Sequence, residues 1–320
     1  MVWEFAGESG AGKTQLGLHV SLGVQLPRQQ GGLAGAACYL TTSSKLQTKR
    51  LMELRTTCIE FNSPSCSLDN VQTLRCPNIP FLIQVLQTTL PDLVSEKANT
   101  SRPVKVVVLD ALGELFHTSE RTTTKTLVER ANSIAEISNA FHSLVSKYSL
   151  AVVVLNEVVD TFGFVPSDDT ALSYSDQARW FARANTVAGE DRKEAALGLV
   201  WANQINARIL MSRTHRRRHV EHDHRGRSTE GDTMLIRRLT VVFNSAGVPA
   251  SVDYVVTRAG VVVIPDESGS QIQTGRRLQV EQQQTRASDV PLSTQIPPMD
   301  RYVEEVDESE VAASSSSIGL

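Results

Sequence analysis

Val106–Leu109 and Ala151–Leu155 are unbroken apolar runs rich in valine. Runs of that kind are strands covered on both faces, as in a mostly parallel sheet. Val2–Ala6, Ala36–Thr41, Val104–Asp110 and Leu150–Asn156 read as strands on this basis. Helical patterns lie between them at Lys13–Gln25, Phe81–Ser95 and Leu127–Tyr148. In the last, Leu127, Ala131, Ile134, Ile137, Phe141, Leu144 and Val145 recur at helical spacing. Strand and helix in alternation predict an α/β fold with right-handed crossovers and helices on both faces of the sheet. Nearer the C-terminus the pattern shortens. Leu239–Phe243, Val252–Thr257 and Val261–Ile264 read as antiparallel strands extending one edge, with Arg258-Ala259-Gly260 as a hairpin turn.

Two segments carry no such pattern. Residues 212–233 are dense in arginine and histidine and read as a solvated basic insertion. Residues 266–320, rich in Gln, Ser and Glu, read as a disordered acidic tail. The expected organisation is therefore one core over 1–265 followed by that tail. With 41% hydrophobic residues in 320, the chain can build one substantial core of this kind. No apolar run approaches the roughly 18 residues that span a bilayer, so no membrane partner is expected. No secretory signal is legible, since Glu4 interrupts the first apolar stretch. Cys38, Cys58, Cys66 and Cys76 form no C-x-x-C pair, which fits free thiols in a reducing compartment. The net charge of −3 hides an asymmetry. The tail holds about four basic and ten acidic residues, leaving a mildly basic body that is compatible with DNA.

The chemistry begins at Gly7, Glu8, Ser9, Gly10, Ala11, Gly12, Lys13 and Thr14, which fit G-x-x-x-x-G-K-[ST] between a strand and a helix. Glycines there let successive amide N–H groups point at phosphate oxygens, and the helix aims its positive end at the same anion. Lys13 would reach the β- and γ-phosphates of ATP, and Thr14 would offer its hydroxyl to Mg²⁺. Asp110, at the end of an apolar strand, has two readings: a carboxylate facing the metal through water, or a cap on the next helix.

The residues from Gly7 to Leu51 resemble the RecA-like recombinases of eukaryotes. The likeness lies in Gly12-Lys13-Thr14-Gln15-Leu16, Val24 to Pro27, Gly31 to Leu33, Ala37 to Leu40, and Arg50-Leu51. Val24 to Leu33, and Ala196 to Gln204 with Arg208 and Arg213 beyond, are similar to a recombinase paralogue. The resemblance covers about residues 2 to 264 and implies a RecA-like ATPase core. It implies a nuclear protein of homologous recombination that binds ATP, Mg²⁺ and DNA. Its partners would be another recombinase paralogue and the strand-exchange recombinase. It adds Gln15 to the nucleotide site and matches Arg50 to an arginine that stacks on adenine; Arg50 also reads as an ordinary helix-surface residue. Family members carry an N-terminal segment that helps join subunits. This chain starts a few residues before the cradle, so a shortened paralogue or a truncated sequence is expected.

Two departures from the strand-exchange enzymes bear on catalysis. Those enzymes place a glutamate after the second strand to activate water; Ser43 stands there, and a hydroxyl is a poor proton acceptor near neutral pH. They end a later strand in Asn-Gln, where this chain has Asn156-Glu157. Glu157 is either a displaced catalytic base or an altered phosphate sensor. Slow hydrolysis by an adaptor is the expectation. The alternative is a DNA-stimulated ATPase that performs strand exchange itself. Two loops would face DNA in such a protein. One lies near 118–126 and offers Arg121 and Lys125. The other runs over 159–195 and offers Arg179 and Arg183 among aromatic residues suited to stacking.

Overall fold

The computed structural model describes residues 1–42, 47–117, 123–160, 193–219 and 233–265. The chain opens with β1 (Val2–Gly7), α1 (Lys13–Gly23), β2 (Ala36–Thr41), α2 (Thr48–Thr57) and β3 (Val71–Arg75). A broken helix follows as α3 (Ile79–Gln84), a π-helical stretch (Val85–Thr89) and α4 (Leu90–Ala98). Next come β4 (Val104–Asp110), a 3-10 turn (Gly113–Phe116), α5 (Thr124–Tyr148), β5 (Ala151–Asn156) and β6 (Val158–Asp160). The rest is β7 (Lys193–Ala195), α6 (Gly198–Ala202), β8 (Ala207–His219), β9 (Thr233–Asn244), β10 (Ser251–Thr257) and β11 (Gly260–Val263).

Nine strands form one sheet in the order β11-β10-β9-β8-β1-β5-β4-β2-β3. From β8 to β3 every pairing is parallel. From β8 to β11 every pairing is antiparallel. Alternate residues of the parallel strands face opposite layers, as the pleat requires. Val107, Leu109, Val152 and Val154 pack with Leu82, Leu86, Ile137 and Phe141 of α3 to α5. Val106, Val108, Val153 and Leu155 pack with Leu18, Leu22, Leu51 and Leu54 of α1 and α2. Both faces of the sheet are thereby covered, as the apolar runs predict.

Three differences from the sequence expectation have physical reasons. Residues 212–219 are solvated as expected at Arg213, His215, Arg216 and Arg217, but they belong to the sheet: they continue β8, paired with β9 across a bulge between Arg213 and Arg217. Exposure accommodates their charge, and Asp253 of β10 accepts from Arg216 at 2.6 Å as well as from Arg238 of β9 at 2.8 Å. Second, α5 begins at Thr124 rather than Leu127, because Thr123 and Thr126 form a reciprocal capping box. Third, β3 at the sheet edge reads Val71-Gln72-Thr73-Leu74-Arg75, with three polar residues in five, so it lacks the buried-strand signature. No helix among the described residues is long and apolar enough to cross a membrane.

Candidate functional site

The central strand β1 ends at Gly7, flanked by β5 and β8, and the chain turns through the phosphate loop into α1. Gly10 (φ 79°) and Gly12 (φ 101°) occupy left-handed backbone that a Cβ would strain. The loop is braced from the antiparallel side. Tyr254 donates its hydroxyl to Ala11 O at 2.7 Å, and Arg237 donates Nε to Gly10 O at 2.9 Å. Lys13 folds back over the loop, donating Nζ to Gly7 O (2.6 Å) and Glu8 O (3.0 Å). Burial pulls its ammonium below the ordinary lysine value, opposed by the charges of Glu157, Asp110, Glu8 and Glu114.

Asp110 sits at the end of β4 with Oδ2 accepting from Thr14 Oγ1 (2.8 Å) and from Tyr39 OH (2.6 Å). Thr14 and Asp110 thus present two hard oxygen donors side by side, the kind of set Mg²⁺ prefers. The glycine backbone of the loop and the N-terminus of α1 suit a phosphate chain. The residues present therefore fit Mg-ATP. A cleft of about 780 Å³ joins these groups. Ser9, Gly10, Gly12, Lys13, Thr14, Gln15, Arg50, Asp110 and Glu157 all line it. Arg50 is fixed by bonds to Gln15 Oε1 (2.6 Å), Thr257 O (2.6 Å) and Arg258 O (3.0 Å), which seats it between α1 and the β10–β11 hairpin.

Gly7, Glu8 and Ala11 shape the loop from outside that lining. Glu8 accepts from Lys193 Nζ at 2.7 Å and from the Arg213 backbone N–H at 2.8 Å. Burial would raise its carboxyl pKa, but those partners outweigh it and hold the group below the ordinary value. Glu157 leaves β5 paired with His117 Nε2 at 2.9 Å. Its carbonyl accepts from Ala196 N at 2.9 Å, where β6 and β7 form a two-stranded ribbon.

Of the residues expected to meet DNA, Lys125 stands in the first turn of α5, 85% exposed and near Glu129 at 3.8 Å. Arg121, Arg179 and Arg183 lie outside the described residues, as does Ser43. Sequence reasoning missed Tyr39, Thr42, Glu114 and His117. Thr42 donates to Glu114 Oε2 at 2.5 Å, across 72 positions of chain. The proximity of Glu114 to the end of the Asp110 strand was the available signal.

The fold and the sequence of the loop together define a RecA-like α/β core. A Rad51 family model matches residues 1–176, more than half of the chain. The chain belongs to the Rad51 family. It is similar to the DNA repair protein XRCC3 homolog of Arabidopsis thaliana, 29% identical over 82% of this chain and 86% of that protein. It is also similar to DNA repair protein XRCC3 of Mus musculus, 31% identical over 66% of this chain and 56% of that one. DNA repair protein rhp57 of Schizosaccharomyces pombe is 29% identical over 65% of this chain and 62% of its own length. Against the mouse and fission-yeast relatives the chain spans less than two thirds of their length. Within the family this is an XRCC3-like paralogue.

Proposed function

We propose that this chain is an ATP-gated adaptor of recombination repair. It binds Mg-ATP, contacts single-stranded or junction DNA, and works with another recombinase paralogue and the strand-exchange recombinase in the nucleus. The observation that carries this reading is the cleft in which Lys13, Thr14 and Asp110 converge on a glycine-backed loop. Similarity to proteins named for DNA repair supports the process. In this reading Lys13 neutralises phosphate charge, Thr14 and Asp110 hold the metal, and Gln15 and Arg50 border the base. When bound, Mg²⁺ supplies positive charge against the β- and γ-phosphates. Arg121, Lys125, Arg179 and Arg183 contact DNA phosphates. Turnover is slow, as the absence of a carboxylate at Ser43 implies.

A bond from the phosphate loop to the end of the segment expected to face DNA supports the gating. Glu8 of the phosphate loop bonds Lys193, the residue at which the described chain resumes after 161–192. Phosphate arriving beside Glu8 changes the charge felt by that pair. The test is titration with a fluorescent ATP analogue. Lys13→Ala is expected to lose about 100-fold in affinity, equivalent to roughly 3 kcal/mol. Equal binding by the variant would show that Lys13 does not hold the phosphates.

A further inference from the structure

Hydrolysis needs a base within hydrogen-bond reach of the attacking water. Among the described residues, three carboxylates line the cleft: Asp110, Glu114 and Glu157. Asp110 Oδ2 already accepts from the hydroxyls of Thr14 and Tyr39, beside the position proposed for the metal. Glu157 Oε2 is taken by His117. Glu114 is held differently. Its Oε2 accepts from Thr42 Oγ1 at 2.5 Å. A hydroxyl has one proton, and the other acceptors near Thr42 are farther, Ala111 O at 3.2 Å and Asp110 O at 3.4 Å. The proton therefore points at Glu114. The Thr42 oxygen in turn accepts from Ala111 N at 3.1 Å, which ties the hydroxyl to the main chain. One oxygen of Glu114 is thus oriented while the residue stays exposed to the water of the cleft.

The strand register explains how a carboxylate comes to this spot. β2 and β4 are neighbours, with Thr41 opposite Asp110. A residue leaving β4 can therefore deliver its side chain to the exit of β2. There the chain itself reads Thr42-Ser43, with no acid.

The geometry points to Glu114 as the catalytic base of ATP hydrolysis in this chain, with Thr42 as its positioning residue. The inference rests on the ATP-binding reading above. In the step, the Glu114 carboxylate accepts one proton of water as the water oxygen bonds to the γ-phosphorus. The bond from that phosphorus to the β–γ bridging oxygen breaks, and its electron pair leaves with ADP. The proton on Glu114 then passes to the released phosphate, restoring the carboxylate.

The experiment compares the whole chain with Glu114→Gln, Glu157→Gln, Thr42→Val and Thr42→Ser. Each is measured for affinity to Mg-ATP and for phosphate release in single turnover. Glu114→Gln is expected to lose about 100-fold in the hydrolysis rate, the low end for a positioned base. Its affinity is expected to stay within about twofold, because the group acts on water rather than on bound phosphate. Glu157→Gln should lose clearly less of the hydrolysis rate than Glu114→Gln, because its Oε2 is engaged by His117. Thr42→Val should lose rate at unchanged affinity, and Thr42→Ser, which keeps the hydroxyl, should recover it. Unchanged hydrolysis in Glu114→Gln overturns the proposal. So does a loss confined to Glu157→Gln, which would make Glu157 the base. A parent chain that binds Mg-ATP without hydrolysing it overturns this inference alone. A parent chain that binds none overturns the ATP-binding reading as well.

Discussion

Two hydroxyls converge on one carboxylate oxygen of Asp110, one from the phosphate-loop helix and one from β2. Burial, then the Asp110 charge and its hydrogen bond, push the Tyr39 phenol well above its usual pKa, so it stays a donor. Asp110→Asn keeps the shape but removes the charge. The expected result is weaker Mg²⁺-dependent nucleotide binding with the fold retained, by about tenfold in a magnesium titration followed by nucleotide fluorescence. A titration matching the parent would remove Asp110 from the metal site. Gly113 shows a different constraint. A Cβ there would meet Asn156 Oδ1 at 2.5 Å, and Asn156 is fully buried and accepts from Glu157 N at 2.9 Å. Gly113→Ala should destabilise by about 1–3 kcal/mol, the usual cost of overpacking, read from urea denaturation. At this scale the sequence exposes what is local. The phosphate loop lies within eight consecutive residues, so motif and geometry coincide. The Thr42–Glu114 contact spans 72 positions and leaves no local trace.

The elements are held in register by a buried polar knot as well as by apolar packing. Glu4 of β1 and Arg208 of β8 form an ion pair with neither side chain exposed. Glu4 also accepts from Asn156 Nδ2 (2.7 Å) of β5 and Trp201 Nε1 (2.8 Å) of α6. Four elements thus meet on one carboxylate beneath the phosphate loop. Glu4→Ala leaves a buried guanidinium without its counter-charge, for which roughly 3–5 kcal/mol is the expected loss. A urea midpoint within error of the parent would count against that. The parallel strands β1, β2, β4 and β5 were legible because burial on both faces demands apolar runs. β8 was not, because its distal half is arginine whose charge is met from β10. Asp253 supplies part of that charge. Burial would raise its pKa, but hydrogen bonds from Arg238 and Arg216 outweigh it and hold the carboxyl below 3.8. A native pKa lower than the unfolded one stabilises above the unfolded value and ceases to as pH falls through the native value. The stability of the parent over Asp253→Asn should therefore be full at pH 7 and shrink at pH values below about 3.9. Urea midpoints at the two ends of that range check it.

At the scale of the whole molecule, the antiparallel half of the sheet braces the phosphate loop while the parallel half presents it. Composition could not show this, since Tyr254, Arg237 and Arg50 act through partners far along the chain. The same separation hides the bond between the phosphate loop and β7 on which the proposed gating rests. Lys193 is 22% exposed and Glu8 is 16% exposed, so their bond is screened less than a surface pair would be. Nucleotide phosphate adds negative charge beside Glu8 and competes for Lys193, which is how binding at the loop would be felt at the β6–β7 ribbon. Removing Lys193 should leave nucleotide affinity nearly intact, because in the proposed function Lys13 carries the phosphate charge. It should instead reduce the response of DNA affinity to nucleotide. For Lys193→Ala we expect the ratio of single-stranded DNA affinity with and without Mg-ATP to fall about threefold or more, under 1 kcal/mol of coupling. Fluorescence anisotropy at one fixed salt concentration measures both affinities, since phosphate contacts weaken steeply with salt. A ratio equal to that of the parent would mean that the ion pair holds the ribbon in place without transmitting the state of the cleft.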